Sequence, residues 1–308
     1  MKKPLYFLTH SGVGHADDLL AFSLALTLFP DIQLIRSRQF QIVESGIEIK
    51  PDAKNPNQPN FIENGSFIVA DVGGSYNQDL RIYDHHQPNA PMRDDGHPYS
   101  AAGLFFKHFG HEILRHLNPN ASTDVINDTF AEIDHSILLP IDLSDNTGCS
   151  FYEPDTEVRA FTFSDFIEMS RPGILTDFES LAKTISHLIT VILTEKLLAN
   201  IKGQELRRLA DRCDEEVLTV DRFYPSAGKF LESTPIKILV HPNPEGKWNA
   251  RWVKDGLFPQ SWRGRSLSDL EKVSGVTGAI FCHRSGHLAV ADQRQSAILL
   301  SEIALRSH

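Results

Sequence analysis

The 308-residue chain has only three cysteines, Cys149, Cys213 and Cys282. They are odd in number, far apart and without CxxC spacing, which excludes a disulfide framework and a zinc knuckle and fits a reducing compartment. Basic charge is also scarce. Thirty Lys and Arg against 40 Asp and Glu leave a formal net charge of −10, so any nucleic-acid contact must come from a local basic patch. Long apolar runs are missing. The longest, Leu19 to Phe29, carries Ser23 and Thr27 and falls well below a membrane span. Leu5 to Thr9 is too short for a signal-peptide core and no small-residue cleavage site follows, so a cytoplasmic protein is expected. What the chain does have is histidine: 14, eight of them before residue 120, and histidine is the usual metal ligand.

Strand-like and helix-like runs alternate through the first half. Leu5 to Thr9 reads as a buried strand, a Gly-bearing turn follows, and Leu20, Leu24 and Leu28 repeat at helical spacing within Asp17 to Leu28. Gln33 to Arg36 and Phe67 to Val72 are further short strands, separated by the polar, Pro-rich stretch Lys50 to Pro59, an expected loop. Ser100 to Leu117 has helical periodicity. This alternation predicts an α/β fold, with a mostly parallel sheet covered by helices over residues 1–176. Asp177 to about Arg222 is continuously helical in pattern, so 177–225 reads as a helical connector. Beyond it, strands at Pro235 to Val240, Trp248 to Val253 and Val276 to Cys282, with helices at Ser266 to Val273 and Gln293 to Leu305, predict a smaller α/β domain over 226–308.

Polar residues gather where the apolar runs end. His10, His15 and Asp17 lie in the first strand-to-helix turn, beyond the carboxyl edge where open α/β sheets place ligands. Two imidazoles and a carboxylate suit manganese, zinc or iron. Helix capping by Asp17 or Asp18 is the competing reading. Asp71 follows Ile68 to Ala70 and precedes two glycines, which a simple turn would also explain. Asp84-His85-His86 follows another apolar approach. Adjacent histidines on an extended segment face opposite ways, so one can bind metal while the other faces another part of the site. Leu138 to Ile141 is read as a fourth strand-like run, ending in Asp142 and Asp145.

In that order, these motifs resemble those of the DHH phosphoesterase superfamily. The closer resemblance is to its Myg branch, the melanocyte-proliferating-gene family. It rests on Thr9-His10-Ser11-Gly12 with His15-Ala16-Asp17-Asp18, Asp71-Val72-Gly73-Gly74, Tyr83 to Gln87, Ser100-Ala101-Ala102-Gly103, His108 to His111 and Asp145-Asn146. In the C-terminal half Trp262-Arg263-Gly264, Val273 to Val276 and Ala279 to Gly286 join in, so the resemblance covers nearly the whole chain. It implies a DHH-type catalytic domain with two divalent ions, usually Mn2+, with Zn2+, Fe2+ or Mg2+ as alternatives. His10, His15, Asp17, Asp71, His85 and Asp145 would be ligands, Asp71 the bridge, and Asp142 the reserve for Asp145. His86 and Asp84 would be catalytic, His86 lying near the scissile phosphate. The implied substrate-binding residues are Arg263, His283, Ser285, Gly286 and Arg294. Where the family tends to show paired glycines after Gly286, this chain has Ala289 and Val290.

Two metal ions about 3.5–4 Å apart activate a water, orient it in line with phosphorus and stabilise the leaving oxygen. The expected function is therefore metal-dependent phosphoester hydrolysis, with RNA or a short oligonucleotide as substrate and 3′-to-5′ exonuclease-like action. A small phosphate substrate, pyrophosphate or a nucleotide, is the alternative, followed by a non-catalytic metal- or nucleotide-binding module. His15-Ala16-Asp17-Asp18 also resembles a turn of zinc-dependent sugar deacetylases, but that fold would not explain Asp71 or Asp84-His85-His86. No membrane partner is expected, and a homodimer is allowed for. In the second domain Trp248, Trp252 and Trp262 sit among Lys and Arg, a pattern that could stack bases. The even spacing of Trp248 and Trp252 favours packing instead. His108, His111 and His116 read as core or surface helix residues.

Overall fold

The computed structural model describes residues 5–51, 57–148 and 160–307. Cys149 and positions 52–56 of the expected Pro-rich loop lie outside the described residues. The chain forms two compact units, Met1–Leu197 and Leu198–His308.

The first unit opens with β1 (Tyr6–Thr9), α1 (Ala16–Leu28) and β2 (Gln33–Arg36). A small antiparallel sheet follows, built from β3 (Phe40–Val43), β4 (Gly46–Ile49) and β5 (Phe61–Glu63). Next come β6 (Phe67–Ala70), β7 (Tyr76–Asn77) and β8 (Ile82–Tyr83). The main sheet has the order β2-β1-β6-β8-β7, parallel except for the edge strand β7. Its strands alternate between two apolar layers. Leu8, Ile35, Phe67 and Val69 pack with Ile47, Ile49 and Ile62 of the small sheet. Phe7 turns the other way, 5.1 Å from the Phe22 ring of α1 and 6.4 Å from that of Phe105. Helices therefore cover one face of this mostly parallel sheet, and three short strands pack on the other. The strands β3 to β5 are brief and half-exposed, so they carry little periodic signal.

Helices α2 (Ala101–Leu117), α3 (Thr123–Ile133), α4 (Leu139–Thr147) and α5 (Phe163–Ser170) complete this unit, a π-helical turn at Asp134–Leu138 leading into α4. The run Leu138 to Ile141, expected as a strand, is thus helical. Pro140 comes just after the π-helical turn, an irregularity in the helical ladder of the kind found where a proline N–H is missing, and Gly148 ends the helix in the left-handed conformation.

Helix α6 (Phe178–Ala210) runs from the first unit into the second and ends at Ala210, shorter than the helical pattern to Arg222 predicted. By length and composition it could cross a membrane, yet Ala182, Ile185, Ile189, Leu193 and Leu197 form a buried stripe at helical spacing, as in a core helix. After it come β9 (Val217–Thr219), α7 (Ala227–Leu231), β10 (Ile238–Pro242), β11 (Trp248–Trp252), α8 (Leu267–Ser274), β12 (Ala279–Cys282), β13 (Leu288–Ala291) and α9 (Arg294–Arg306). Their sheet has the order β12-β13-β11-β10-β9. Trp252 and Trp262 are buried in its core and Trp248 packs against it, which removes Trp252 and Trp262 as an exposed stacking platform. Ala289 and Val290 belong to β13, so they pair with β11 and β12 and form no phosphate-cradling loop.

Candidate metal centre

Three adjacent parallel strands end at one edge of the main sheet. β1 delivers His10, β6 delivers Asp71, and β8 delivers Asp84, His85 and His86. The first turn of α1 adds Asp17 and Asp18 beside His15, its N-cap. Asp71 takes a left-handed backbone, φ 58°, just before Gly73 and Gly74, also at positive φ. A non-Gly residue held in that region is strained, and such strain clusters at functional sites.

The strained turn aims the Asp71 carboxylate between two imidazoles. One oxygen lies 3.1 Å from His10 Nε2, the other 3.2 Å from His85 Nε2. His85 Nε2 is also 3.6 Å from Asp17 and 3.4 Å from Asp145. Four triads offer ligand atoms within 4.8 Å of one another: His10, His15 and Asp71; Asp71, His85 and His86; His15, Asp17 and Asp145; and Asp17, Asp18 and Asp71. Asp71 belongs to three of them.

The charge balance of the cluster calls for a cation. His10 Nε2, Asp17 Oδ1 and Asp18 Oδ2 are buried without a hydrogen-bond partner among the described residues, although His10 Nε2 lies near two carboxylates. Burial and the neighbouring Asp17 push the Asp145 carboxyl up to about 8, and the same two causes push Asp18 up. Burial opposes the charge on His85, but hydrogen bonds to Asp17 and Asp71 raise it to about 11. Burial likewise works against the Asp71 carboxylate, yet His10 and His85 hold it below the usual range. Carboxylates crowded until some keep their protons, with unpartnered donor atoms among them, fit a divalent metal site.

Supporting residues orient these groups. Asp84 is buried and accepts from the backbone N–H groups of Gly74 at 2.5 Å, His85 at 2.8 Å and His86 at 3.2 Å. Its Oδ1 also meets His86 Nδ1 at 2.7 Å. Asp84 thus stands behind His86 and acts as a positioning residue. Asn146, one turn beyond Asp142 on α4, meets His85 Nδ1 at 3.1 Å. Asp18 has two duties: one oxygen accepts from the His15 N–H at 2.7 Å, closing a capping box, and the other lies 3.2 Å from His10 Nε2.

Asp142 does not face the cluster. Its carboxylate accepts from Arg93 Nε at 2.7 Å and from Ser100 Oγ at 2.6 Å, and Arg93 also pairs with Asp134. Gly103 leaves room for it, because a Cβ there would collide with the Asp142 carboxylate. Of the two carboxylates offered by this segment, Asp145 is the one beside His85. Ser100-Ala101-Ala102-Gly103 is thereby explained: Ser100 caps α2 and binds Asp142, while the Ala101 N–H points to Asp17 at 3.3 Å. Arg93 and the second role of Asp18 were missed from the sequence. Arg93 is an isolated basic residue until the fold brings it to Asp142 and Asp134; the Asp18 signal was the capping-box spacing itself.

The remaining candidates lie in the second unit. His283, Ser285 and Gly286 form the turn between β12 and β13, where His283 Nδ1 meets Ser285 Oγ at 2.7 Å and Ser285 Oγ also meets His287. Arg263 donates from Nε to the Phe258 carbonyl at 2.8 Å, and Gly286 is required beside it because a Cβ would strike the guanidinium. Arg294 lies 5.8 Å over the Trp248 ring. His108 accepts or donates a 2.7 Å bond with the Tyr76 hydroxyl and stacks on Tyr83, and His111 stacks on Phe130, so both have packing roles.

Fold and site together define an α/β protein with an Asp/His cluster fit for divalent metal at the carboxyl ends of a mostly parallel sheet. Residues 6–305 match the profile of MYG1_exonuc, described as an uncharacterised protein family (UPF0160), and the chain belongs to that family. Similar proteins include a MYG1 protein of Dictyostelium discoideum, 26% identical over 95% of this chain and 94% of the relative. A MYG1 exonuclease of Homo sapiens is 24% identical over 96% and 85%, and a MYG1 protein of Chlamydia pneumoniae 26% identical over 96% and 95%. Among solved structures, a pGpG-specific phosphodiesterase from Vibrio aligns over 97% of this chain and 98% of its own at 12% identity, with a TM-score of 0.31.

Proposed function

We propose that this chain is a metal-dependent phosphoesterase that hydrolyses phosphodiester bonds of RNA or short oligonucleotides in a 3′-to-5′ exonuclease-like manner. The observation that carries the reading is the Asp71 carboxylate, divided between His10 and His85 inside a cluster of four carboxylates and four imidazoles. Relatives named MYG1 exonuclease support the same reaction class.

His10, His15 and Asp17 would hold one divalent ion and His85 and Asp145 a second, with Asp71 shared. Manganese is the first ion to test for this mixture of imidazole and carboxylate, ahead of zinc, iron and magnesium. Bound ions polarise phosphoryl oxygens, lower the pKa of water and offset charge on the leaving oxygen.

The chain's own residues supply orientation and a proton. The contact between Asp84 and Nδ1 of His86 orients the ring and leaves Nε2 to face a substrate oxygen. The His86 side chain is 62% exposed, whereas His85 beside it is buried, so the adjacent pair divides into one accessible imidazole and one enclosed one. As an imidazolium paired with Asp84, His86 would donate from Nε2–H to a nonbridging phosphate oxygen and offset charge that grows in the transition state. Asn146 holds the His85 ring from its far side, and the Ala101 N–H holds Asp17.

Purified protein with manganese is expected to release nucleoside monophosphates from 3′-labelled oligoribonucleotides, and His86→Ala to lose this. An undiminished rate in that variant overturns the role given to His86. Pyrophosphate turned over faster than any oligonucleotide would move the substrate class to small phosphates.

A further inference from the structure

A cavity of about 410 Å³ opens directly beside the metal cluster. His15 and Asp145 belong to both, so the cavity begins where the cluster ends. Its other polar walls are Ser144 on α4 with Ser164 and Glu168 on α5. Ser164 and Glu168 are four residues apart on one helix, which puts both side chains on the same face. Val13 supplies an apolar wall.

The chemistry of these walls selects what can enter. Among the described residues no Lys or Arg lines the cavity, and Glu168 adds a negative charge, so these walls do not favour a phosphate. The phosphate of a bound ester belongs at the ions that His15 and Asp145 would hold, and the walls of the cavity suit a neutral group with hydroxyl donors. A carboxylate has two acceptor oxygens and no donor, which matches two adjacent hydroxyls. Serine hydroxyls accept and donate as needed.

We propose that this cavity holds the sugar of the 3′-terminal ribonucleotide, with Glu168 accepting hydrogen bonds from its 2′,3′-diol and Ser164 completing the contact. The inference rests on the phosphoesterase reading and sharpens it to a substrate class: RNA ends that carry a free vicinal diol. The 2′-hydroxyl is the group by which a protein tells RNA from DNA. A 2′-deoxy end offers Glu168 one donor instead of two, leaving part of a charged acceptor without its partner. Glu168 and Ser164 are thus specificity-determining residues, and no bond is made or broken at them.

The test is equilibrium binding of two probes, AMP and 2′-deoxy-AMP, to the full chain loaded with manganese. The wild-type protein is expected to bind AMP about tenfold more tightly, the size of one lost hydrogen bond to a charged group. In Glu168→Gln and in Ser164→Ala that preference should shrink, most of the loss falling on AMP. Equal affinities in the wild-type protein, or an undiminished preference in both variants, overturn the proposal. Hydrolysis of bis(p-nitrophenyl) phosphate, which has no sugar, separates the two levels. If it is cleaved while the two nucleotides bind alike, only the diol assignment falls. If it is not cleaved and neither nucleotide binds, the phosphoesterase reading falls and takes the diol assignment with it.

Discussion

Asp84 and His86 are joined by a 2.7 Å hydrogen bond between a buried carboxylate and an exposed imidazole. The carboxylate accepts from backbone N–H groups on both sides, so its own position is fixed by Gly74, His85 and His86. Through it, the turn after β8 sets how the His86 ring is oriented.

Asp84→Asn tests this directly. An amide whose oxygen takes the Oδ1 place keeps the His85 and His86 contacts but accepts from Nδ1–H as a neutral group, and its NH2 then meets the Gly74 N–H donor to donor, so the turn that orients the imidazole must shift. Turnover is expected to fall about 10- to 100-fold, the usual size of an outer-shell loss at a metal site. Bound metal, counted by elemental analysis, should stay at the wild-type level. Loss of metal together with activity would mean that Asp84 supports the ligands and not His86.

Asp142 and Asp145 lie one turn apart on α4 and separate stability from metal binding. Arg93 and Asp142 are both buried, and removing the carboxylate leaves a buried guanidinium with Asp134 alone. Asp142→Ala should therefore cost about 3–5 kcal/mol in denaturant unfolding, the range for breaking a buried ion pair. Folded Asp142→Ala should still bind its full complement of metal. Asp145→Ala should do the reverse, losing metal while unfolding, with EDTA present in both samples, near the wild-type midpoint.

Gly103 makes a prediction whose sign is opposite to that of simple helix propensity. In an exposed helix Gly→Ala stabilises by close to ~1 kcal/mol. In α2 the new Cβ would meet the Asp142 carboxylate and force apart a buried, hydrogen-bonded group. Gly103→Ala is expected to destabilise by about 1–3 kcal/mol, as overpacking does. A raised melting temperature would show that Asp142 has room to move.

These residues also mark how far the sequence could be read. His10, Asp71 and Asp84 to His86 were visible because each follows an apolar strand, and parallel neighbours must end at the same edge. Leu138 to Ile141 looks like those strands over four residues. Only Pro140 and the recurrence at 138, 141, 142 and 145 mark it as helical, and that spacing sends Asp142 to Arg93 and Asp145 to His85. The Arg93 contact joins positions 49 apart, a distance no local pattern spans. The sheet β3 to β5 was missed because its strands are short and half-buried, and α6 was read too long because its charged end continues into Asp211 to Glu216 without a proline or glycine.

Metal removal and pH make the last prediction, and here the stability of the metal-free chain and the stabilisation by metal should respond in opposite directions. In the metal-free chain the Asp145 carboxyl is raised from its ordinary 3.8 to about 8, so folding favours its protonated form. That contribution is complete below pH 3.8 and is lost as pH rises through 8. His85 adds the same sign: raised from 6.5 to about 11, it stabilises most below 6.5 and progressively less above it. Metal-free protein in EDTA should thus melt at a lower temperature at pH 8 than at pH 5. Metal binding needs deprotonated carboxylates and neutral imidazoles, so the stabilisation gained from manganese should grow over the same interval. The gap between melting curves with and without manganese is therefore expected to widen from pH 5 to pH 8. A gap that stays constant would mean that the ion binds away from Asp145 and His85.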